Sequence, residues 1–234
     1  MASKERVLIT GSAAGIGRAT AERCQAEGYE VIGIDRDGDG IRADLSDPEA
    51  TAAALSEALR GGTITRLVNN VGIVRPGPVE EQSFADLDLA VSLNLRCSLQ
   101  CLQALLPGMK QESFGRVVNI ASRAALGKER RSVYAATKAG LIGMAKVWAL
   151  ELGNHGITAN SIGPGPIRTE LFERANPAGS QTTQAILDAV PVGRMGEPED
   201  IAHAVAFLLD ARSGFISGQT LFVCGGMTVG AAGN

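Results

Sequence analysis

Short apolar runs rich in β-branched residues alternate along the chain with longer segments that have a helical pattern. The runs predict buried strands at residues 6–10, 30–34, 41–44, 66–69, 115–120, 158–162 and 220–223. The longer segments predict helices at residues 15–27, 47–59, 84–110, 132–152 and 198–209. Such alternation is typical of parallel β-α-β units. The pattern therefore predicts an α/β fold, a doubly wound parallel sheet.

The connection between the second and third predicted strands departs from this scheme. Only residues 36–40 separate the two strands, whereas a parallel crossover normally takes about a dozen residues and a helix. Gly38 and Gly40 permit a sharp bend. The sequence therefore predicts that the crossover helix between strands 2 and 3 is missing and that a bare loop replaces it.

Glycines cluster where the first predicted strand meets the first helix. Gly11, Gly15 and Gly17 allow a tight turn, close approach to a pyrophosphate and close helix packing, while the free amides at the helix start can hold phosphates. Asp35, after the second strand, can accept hydrogen bonds from an adenosine ribose. Its carboxylate would repel a 2′-phosphate, which favours NAD over NADP. Arg36 works against this preference, because a guanidinium can attract that phosphate.

Tyr134 and Lys138 lie four residues apart on a predicted helix, so their side chains share a face. A free phenol has a pKa near 10 and exchanges protons poorly at neutral pH. A neighbouring ammonium favours the phenolate, so we expect Lys138 to lower the pKa of Tyr134 towards the range of a general acid/base. Taken alone, the pair is more typical of two residues on an exposed helix surface.

Six sequence elements occur together in an informative order. They are residues 10–17, Asp44-Leu45, residues 69–72, Asn94, Ser122 placed twelve residues before Tyr134, and residues 163–169. By these elements the chain resembles the short-chain dehydrogenase/reductase family over nearly its whole length. Right-handed crossovers and this resemblance imply the Rossmann-like strand order 3-2-1-4-5-6-7. Two positions differ from the usual family pattern, Val71 in place of Ala and Cys224 in place of Asp.

The resemblance implies an oxidoreductase that transfers a hydride between NAD(H) and a secondary alcohol or ketone. It implies a catalytic set of Asn94, Ser122, Tyr134 and Lys138. In that set Ser122 would hold the substrate oxygen and Tyr134 would pass the proton. Lys138 would lower the pKa of Tyr134 and reach the nicotinamide ribose, and Asn94 would anchor a water that connects Lys138 to solvent.

The resemblance also implies a set of cofactor-binding residues, in the glycine loop, near strands 2 to 4, on the Tyr134 helix and after strand 6. They are Gly11, Ser12, Gly15, Ile16, Gly17, Asp35, Asp44, Leu45, Asn70, Tyr134, Lys138, Pro164, Gly165, Ile167 and Thr169. NAD is the expected cofactor, and NADP is less favoured. The nearest alternative activity is an NADPH-dependent 3-oxoacyl thioester reductase. An alternative from another functional class is a non-catalytic NAD-binding regulatory protein with the same fold.

Residues 168–192 predict a substrate lid, because this long segment contains Pro177, Gly179 and a polar run at 181–183. An ordered surface excursion is the alternative. Five arginines fall in segments that could border the substrate pocket and would suit an acidic substrate: Arg75, Arg123, Arg130, Arg131 and Arg174. Solvated surface arginines are the favoured alternative.

Length and composition set further limits. At 234 residues with a net charge of −3, we expect one dinucleotide-binding catalytic domain over residues 1–234 with no footprint for nucleic acid. We expect no membrane span, because no uninterrupted apolar stretch reaches about 18 residues. The first strand leaves no room for a signal peptide, so the expected location is cytoplasmic.

The four cysteines have no metal-ligand spacing, so we interpret them as buried hydrophobes and expect no metal. The expected partner is a small-molecule alcohol or ketone. The predicted helices 84–110 and 132–152 are more apolar than one sheet face requires, which indicates a homo-oligomer, a tetramer or a dimer.

Overall fold

The computed structural model describes residues 5–175 and 180–230. Its seven parallel strands form one sheet in the order β3-β2-β1-β4-β5-β6-β7. The strands are β1 (Arg6–Thr10), β2 (Glu30–Asp35), β3 (Ile41–Arg42), β4 (Arg66–Asn69), β5 (Gly115–Ile120), β6 (Ile157–Pro164) and β7 (Thr220–Val223). The predicted α/β fold and strand order are confirmed.

Helices flank this sheet. They are α1 (Gly15–Ala26), α2 (Pro48–Leu59), α3 (Phe84–Val91), α4 (Cys97–Gln111), α5 (Ser132–Leu152), α6 (Glu170–Ala175), α7 (Gln181–Asp188) and α8 (Pro198–Leu209). The predicted helix 84–110 is α3 and α4 joined by a π-helical turn, Ser92–Arg96. Helices α6 and α7 fall in the predicted lid and were not predicted as helices, because both are short.

The missing crossover helix is confirmed, since residues 36–40 form a bend between β2 and β3. Gly38 has a φ of +89°, a conformation that side chains with a Cβ rarely adopt. A Cβ on Gly40 would lie 2.5 Å from the carbonyl oxygen of Gly33, so the loop folds closely over β2. The third strand, Ile41–Arg42, is shorter than the predicted 41–44 because it pairs only with Ile34 and Asp35.

Alternating strand residues build two apolar layers, one on each side of the sheet. On one side Leu8, Leu67 and Val117 pack among side chains of α2, α4 and α5. On the other side Val7 and Val68 pack among side chains of α1 and α8. The four cysteines are free and buried, as the interpretation of them as small hydrophobes predicted.

The continuous helical segment Phe84–Gln111 is long and apolar enough to cross a membrane by length and composition. The charged residues Asp86, Asp88 and Arg96 interrupt its sequence. Its α4 portion contributes Leu102 and other buried side chains to the core cluster. Packing against the sheet therefore accounts for the apolar residues of the α4 portion that are buried.

Three buried groups connect α5 to the centre of the sheet. Asn69 at the end of β4 donates from Nδ2 to Oδ1 of Asn119 on β5, at 2.8 Å. Asn119 in turn donates from its own Nδ2 to the carbonyl oxygen of Leu141 on α5, at 3.2 Å. Loss of such a partner leaves a buried amide unsatisfied and destabilises the folded protein. These bonds therefore fix α5, and the residues it carries, relative to the carboxyl ends of β4 and β5.

Candidate active site

The glycine loop lies between β1 and α1 at the carboxyl edge of the sheet. Gly11 has a φ of +69° and Gly15 a φ of +51°, and a Cβ on Gly17 would overlap the carbonyl oxygen of Gly11. Among the described residues no side chain caps the N-terminus of α1, so its first amides keep the capacity to bind phosphates. Ile16 lies in this first turn. The loop fits a dinucleotide pyrophosphate.

Hydrogen bonds between Thr10, at the end of β1, and Asn70, which follows the neighbouring strand β4, support the loop. Oγ1 of Thr10 accepts hydrogen bonds from the backbone N–H groups of Asn70 and Val71, at 3.0 and 3.1 Å. Nδ2 of Asn70 donates to the carbonyl oxygens of Thr10 and Gly11, at 3.0 and 2.9 Å. Asn70 therefore shapes the phosphate loop. Thr10 was not singled out from the sequence, although it opens the glycine motif.

Asp35 ends β2 beside the same loop. Its Oδ2 accepts a hydrogen bond from the backbone N–H of Ala13 at 2.9 Å, and its Oδ1 accepts one from Asp37 at 3.2 Å. Ser12 packs directly against Gly33 of β2, which closes the loop onto that strand. Arg36 is exposed and lies 3.8 Å from a carboxylate oxygen of Asp37.

The predicted adenine-binding pair, Asp44 and Leu45, precedes α2. Oδ1 of Asp44 accepts hydrogen bonds from the backbone N–H and the hydroxyl of Ser46, at 2.9 and 2.7 Å. These two bonds hold the pKa of Asp44 below its ordinary value. The Leu45 side chain is buried in the core, whereas Asp44 is exposed.

Ser122, Tyr134 and Lys138 meet where β5 ends and α5 begins. Nζ of Lys138 donates to the carbonyl oxygen of Ile120, two residues before Ser122, at 2.6 Å. The same nitrogen lies 5.8 Å from the centre of the Tyr134 ring. Oγ of Ser122 accepts from the backbone N–H of Ala124 at 3.1 Å, and Ser122 is close enough to Tyr134 to lower the pKa of the phenol. The three predicted catalytic side chains are thus in one place.

Asn94 joins them from the π-helical turn, a feature often found at functional sites. Its Oδ1 accepts from the backbone N–H of Ile73 at 2.8 Å, and its Nδ2 donates to Oγ1 of Thr137 at 2.9 Å. A Cβ on Gly72 would lie 3.1 Å from Oδ1 of Asn94 and 3.2 Å from Nζ of Lys138. Gly72 therefore leaves a space that both polar groups border.

Thr137 was missed in the sequence, because a threonine inside a helix carries no motif signal. Besides accepting from Asn94, its Oγ1 donates to the carbonyl oxygen of Tyr134 at 2.9 Å. The hydroxyl therefore connects the π-helical turn to the first turn of α5.

The segment after β6 closes over the glycine loop. Gly165 has no room for a side chain, since a Cβ there would lie 2.7 Å from Cα of Cys224. Thr169 lies above the loop, because its methyl group would lie 3.2 Å from a Cβ on Gly15. Pro164 ends β6. Ile167 pairs with Gly196, and its side chain packs in the core.

Cys224 makes a local contact in place of the usual aspartate. Its Sγ lies 3.3 Å from Oγ1 of Thr228. Burial raises the pKa of the thiol, but hydrogen bonds from Thr228 and from the backbone of Gly226 and Met227 outweigh it, so that the pKa lies below its ordinary value. The amides of this turn thus stabilise a thiolate.

The electrostatics of the catalytic set differ from the sequence prediction. Burial raises the pKa of Tyr134 above its ordinary value, and the bond to Ser122 and the charge of Arg131 offset only part of this. The expected net lowering of the Tyr134 pKa is therefore not found, because burial outweighs the nearby groups that favour the phenolate. Burial lowers the pKa of Lys138 itself from 10.5 to about 8, and among the described residues no carboxylate pairs with it.

The comparisons with known proteins agree with this geometry. Residues 11–228 match the family model described as enoyl-(acyl carrier protein) reductase. The chain is 38% identical to (2S)-[(R)-hydroxy(phenyl)methyl]succinyl-CoA dehydrogenase subunit BbsD of Thauera aromatica, over 95% of this chain and 96% of that protein. It is 34% identical to the 3-oxoacyl-[acyl-carrier-protein] reductase FabG of Vibrio cholerae, over 94% and 96%.

A solved structure is similarly close, that of a blue fluorescent protein from a metagenomic library in complex with NADPH. The TM-score is 0.87 at 31% identity, covering 96% of this chain and 98% of the other. The fold and site define an oxidoreductase built around a nicotinamide-dinucleotide cleft. The chain belongs to the short-chain dehydrogenase/reductase family.

The burial of Lys138 leads to a stability prediction. Between pH 8 and 10.5 the unfolded chain holds a proton on Lys138 that the folded chain has released, so this group makes stability rise with pH there. Below pH 8 the buried ammonium costs about 3 kcal/mol. We expect Lys138→Met to raise the free energy of unfolding at pH 7 by about 1–3 kcal/mol, with a smaller gain at pH 10, as measured by urea denaturation.

The matched control is Lys146→Met, an exposed lysine on the same helix, which should change stability little at either pH. A Lys138→Met protein that is less stable than the parent at pH 7, or a difference that does not vary with pH, would contradict the prediction.

Proposed function

We propose that the protein transfers a hydride between NAD(H) and a secondary alcohol or ketone, with Tyr134 as general acid/base. The observation that carries this proposal is the convergence of Ser122, which is close enough to Tyr134 to lower its pKa, with the buried ammonium of Lys138, which lies 5.8 Å from the centre of the Tyr134 ring. A bound nicotinamide supplies the hydride chemistry, and the chain supplies orientation and proton transfer.

The raised pKa of Tyr134 keeps its phenol protonated at neutral pH. The phenol can therefore donate its proton to the oxygen of a ketone as that oxygen gains negative charge, while Ser122 donates a second hydrogen bond to the same atom. The phenolate that remains lies beside the ammonium of Lys138, which stabilises it. In the oxidative direction the same groups accept the proton.

Reprotonation of Tyr134 requires a route to solvent. Lys138 is suited to exchange protons because burial brings its pKa to about 8. Oδ1 of Asn94 and Nζ of Lys138 border the space over Gly72, which supports the proposed role of Asn94 in holding a water there. A non-catalytic regulatory protein would have no need for this complete arrangement.

A second candidate for the reaction is the reduction of a 3-oxoacyl thioester, with NADPH as the reductant. It is supported by the two relatives named above, one a succinyl-CoA dehydrogenase subunit and the other a 3-oxoacyl-[acyl-carrier-protein] reductase. A 3-oxoacyl thioester is itself a ketone, so the roles proposed for Ser122 and Tyr134 are the same.

We further propose that residues 1–234 act as one catalytic domain, with residues 168–192 as the lid. Its helices α6 and α7 follow Thr169, which lies against the glycine loop. Pro177 and Gly179 of the predicted lid lie outside the described residues. We keep the cytoplasm as the expected location and a small molecule as the partner. Within the described residues, no three His, Cys, Asp or Glu side chains are grouped to hold a metal ion.

Replacing Tyr134 tests the proposed reaction. We expect Tyr134→Phe to lower kcat by about a hundredfold to ten-thousandfold, because the proton donor is lost, with little change in the Kd of the cofactor. Turnover of a panel of ketones and secondary alcohols would be followed by NADH and NADPH absorbance. The control is Tyr29→Phe, which changes the chain's other tyrosine, outside the site. Near-normal activity of Tyr134→Phe would refute the assigned role.

The NAD preference rests on Asp35, whose carboxylate faces the glycine loop, although the similar solved structure contains NADPH. We expect kcat/KM to be higher with NADH than with NADPH. Asp35→Asn keeps an acceptor but removes the charge, and should reduce this ratio by about tenfold. Asp88→Asn, an exposed carboxylate on α3, should leave the ratio unchanged. A parent enzyme that prefers NADPH would rule out NAD as the main cofactor.

We also propose a homodimer or homotetramer. Leu150 on α5 is 85% exposed and Val147 is 50% exposed, so the outer face of this helix presents apolar side chains that a second copy would cover. Light scattering should give two or four times the chain mass of 24.2 kDa, and Leu150→Glu should reduce it. Val79→Glu, an exposed apolar position elsewhere, is the control. A monomeric parent protein would exclude this assembly.

A further inference from the structure

Four cations lie in the connection between β5 and α5, which has Ser122 at one end and Tyr134 at the other. They are Arg123, Lys128, Arg130 and Arg131. Arg123 follows Ser122 directly and begins a 3₁₀ turn. Arg131 precedes the first residue of α5, three positions before Tyr134. The connection between the two reacting side chains is therefore strongly basic.

Three of these cations are close enough to influence one another. Partial desolvation lowers the pKa of Lys128, although its side chain stays exposed, and the charges of Arg131 and Arg123 lower it further. Arg131 is also the cation that lowers the pKa of Tyr134. The positive region formed by Arg123, Lys128 and Arg131, here called the basic rim, thus extends to the phenol.

Carboxylates of the protein do not neutralise the basic rim. In the connection between β4 and α3, Arg75 is paired with Asp86 at 3.3 Å, so it is not part of the rim. Among the described residues no carboxylate forms an ion pair with the three rim cations, and this includes Glu129, which is exposed in the same connection. Unpaired like charges repel one another. An anion bound between them would relieve that repulsion.

The backbone of the connection is held in place before any ligand arrives. Arg130 has a φ of +58°, which residues other than glycine rarely adopt. Its carbonyl oxygen accepts from the backbone N–H of Gly77 at 3.1 Å and from Nη1 of Arg131 at 2.9 Å. Such a conformation persists only where the surroundings fix it. The backbone next to Arg131 is therefore fixed against the loop that carries Gly77.

We propose that the substrate carries a negatively charged group, a carboxylate or a phosphate, that binds the basic rim while its carbonyl or carbinol meets Tyr134. This substrate class rests on the proposed function of the same site. Guanidinium groups bind carboxylates and phosphates through paired hydrogen bonds, so both anions suit Arg123 and Arg131.

Three probes that share one ketone test this proposal: acetoacetate, its neutral methyl ester, and acetoacetyl-CoA. The parent enzyme should reduce an anionic probe with a kcat/KM at least about tenfold above that of the methyl ester, and added salt should diminish the difference. A preference for acetoacetate identifies a carboxylate near the ketone, and a preference for acetoacetyl-CoA identifies a distant phosphate. Equal rates for all three probes, without salt dependence, would overturn the proposal.

Two variants assign the effect to the rim. Lys128→Gln, in the exposed connection, and Arg131→Gln, beside the helix start, should each lower kcat/KM for the preferred anionic probe by about tenfold. The methyl ester should change by less than about twofold, because it lacks the charge. Lys146→Gln removes the same charge from an exposed position on α5 and should change neither. If a variant lost kcat/KM equally for the charged and the neutral probes, the replaced residue would have a structural role and would not bind the anion.

Calorimetry of the NAD⁺-saturated protein separates this proposal from the proposed function, because a ketone cannot be reduced there. If an anionic probe binds more tightly than the methyl ester and Lys128→Gln abolishes this difference, the rim proposal is supported. If in addition no probe is turned over, only the proposed reaction fails. Reduction of all probes without selective binding would leave the reaction and overturn the rim.

Discussion

A buried ammonium with a single backbone acceptor is the constraint on which the site depends. Lys138 is 3% exposed, and its Nζ donates to the carbonyl oxygen of Ile120. Burying such a charge without a carboxylate is unfavourable, so the surrounding structure must hold it. The bonds from Asn69 through Asn119 to Leu141 supply part of that support, because they fix α5 against the sheet. Stability is given up here for a cation beside the reacting phenol.

Features that follow from local sequence rules could be predicted. The sheet order came from the handedness of crossovers together with the family resemblance. The missing crossover helix came from element spacing, and Gly38 adopts the positive φ that the short loop after β2 requires. The glycine loop was predictable for the same reason, since a Cβ on Gly17 would overlap a carbonyl group. At such positions the backbone geometry allows only glycine, so the glycine in the sequence predicts the local structure.

Features that depend on depth and on long-range packing could not be predicted. The spacing of Tyr134 and Lys138 shows that they share a helix face, but not that burial would outweigh charge in the pKa of Tyr134. Ile167 matches a cofactor motif and yet its side chain lies in the core. Thr137 was missed because its importance comes from Asn94, 43 residues away in sequence. A sequence motif identifies residues that are close along the chain. Burial and hydrogen bonding depend on residues that are close in the folded structure but distant in sequence.

Two cations of different character flank Tyr134, and their difference bears on how its acidity is controlled. Burial brings the pKa of Lys138 to about 8, so its charge changes with pH near neutrality. Arg131 is a guanidinium beside the helix start, and its charge already lowers the pKa of Tyr134. An anion bound at the basic rim would reduce the field of Arg131 at the phenol, leaving Lys138 as the main cation acting on it. Substrate charge and phenol acidity are therefore coupled through one arginine.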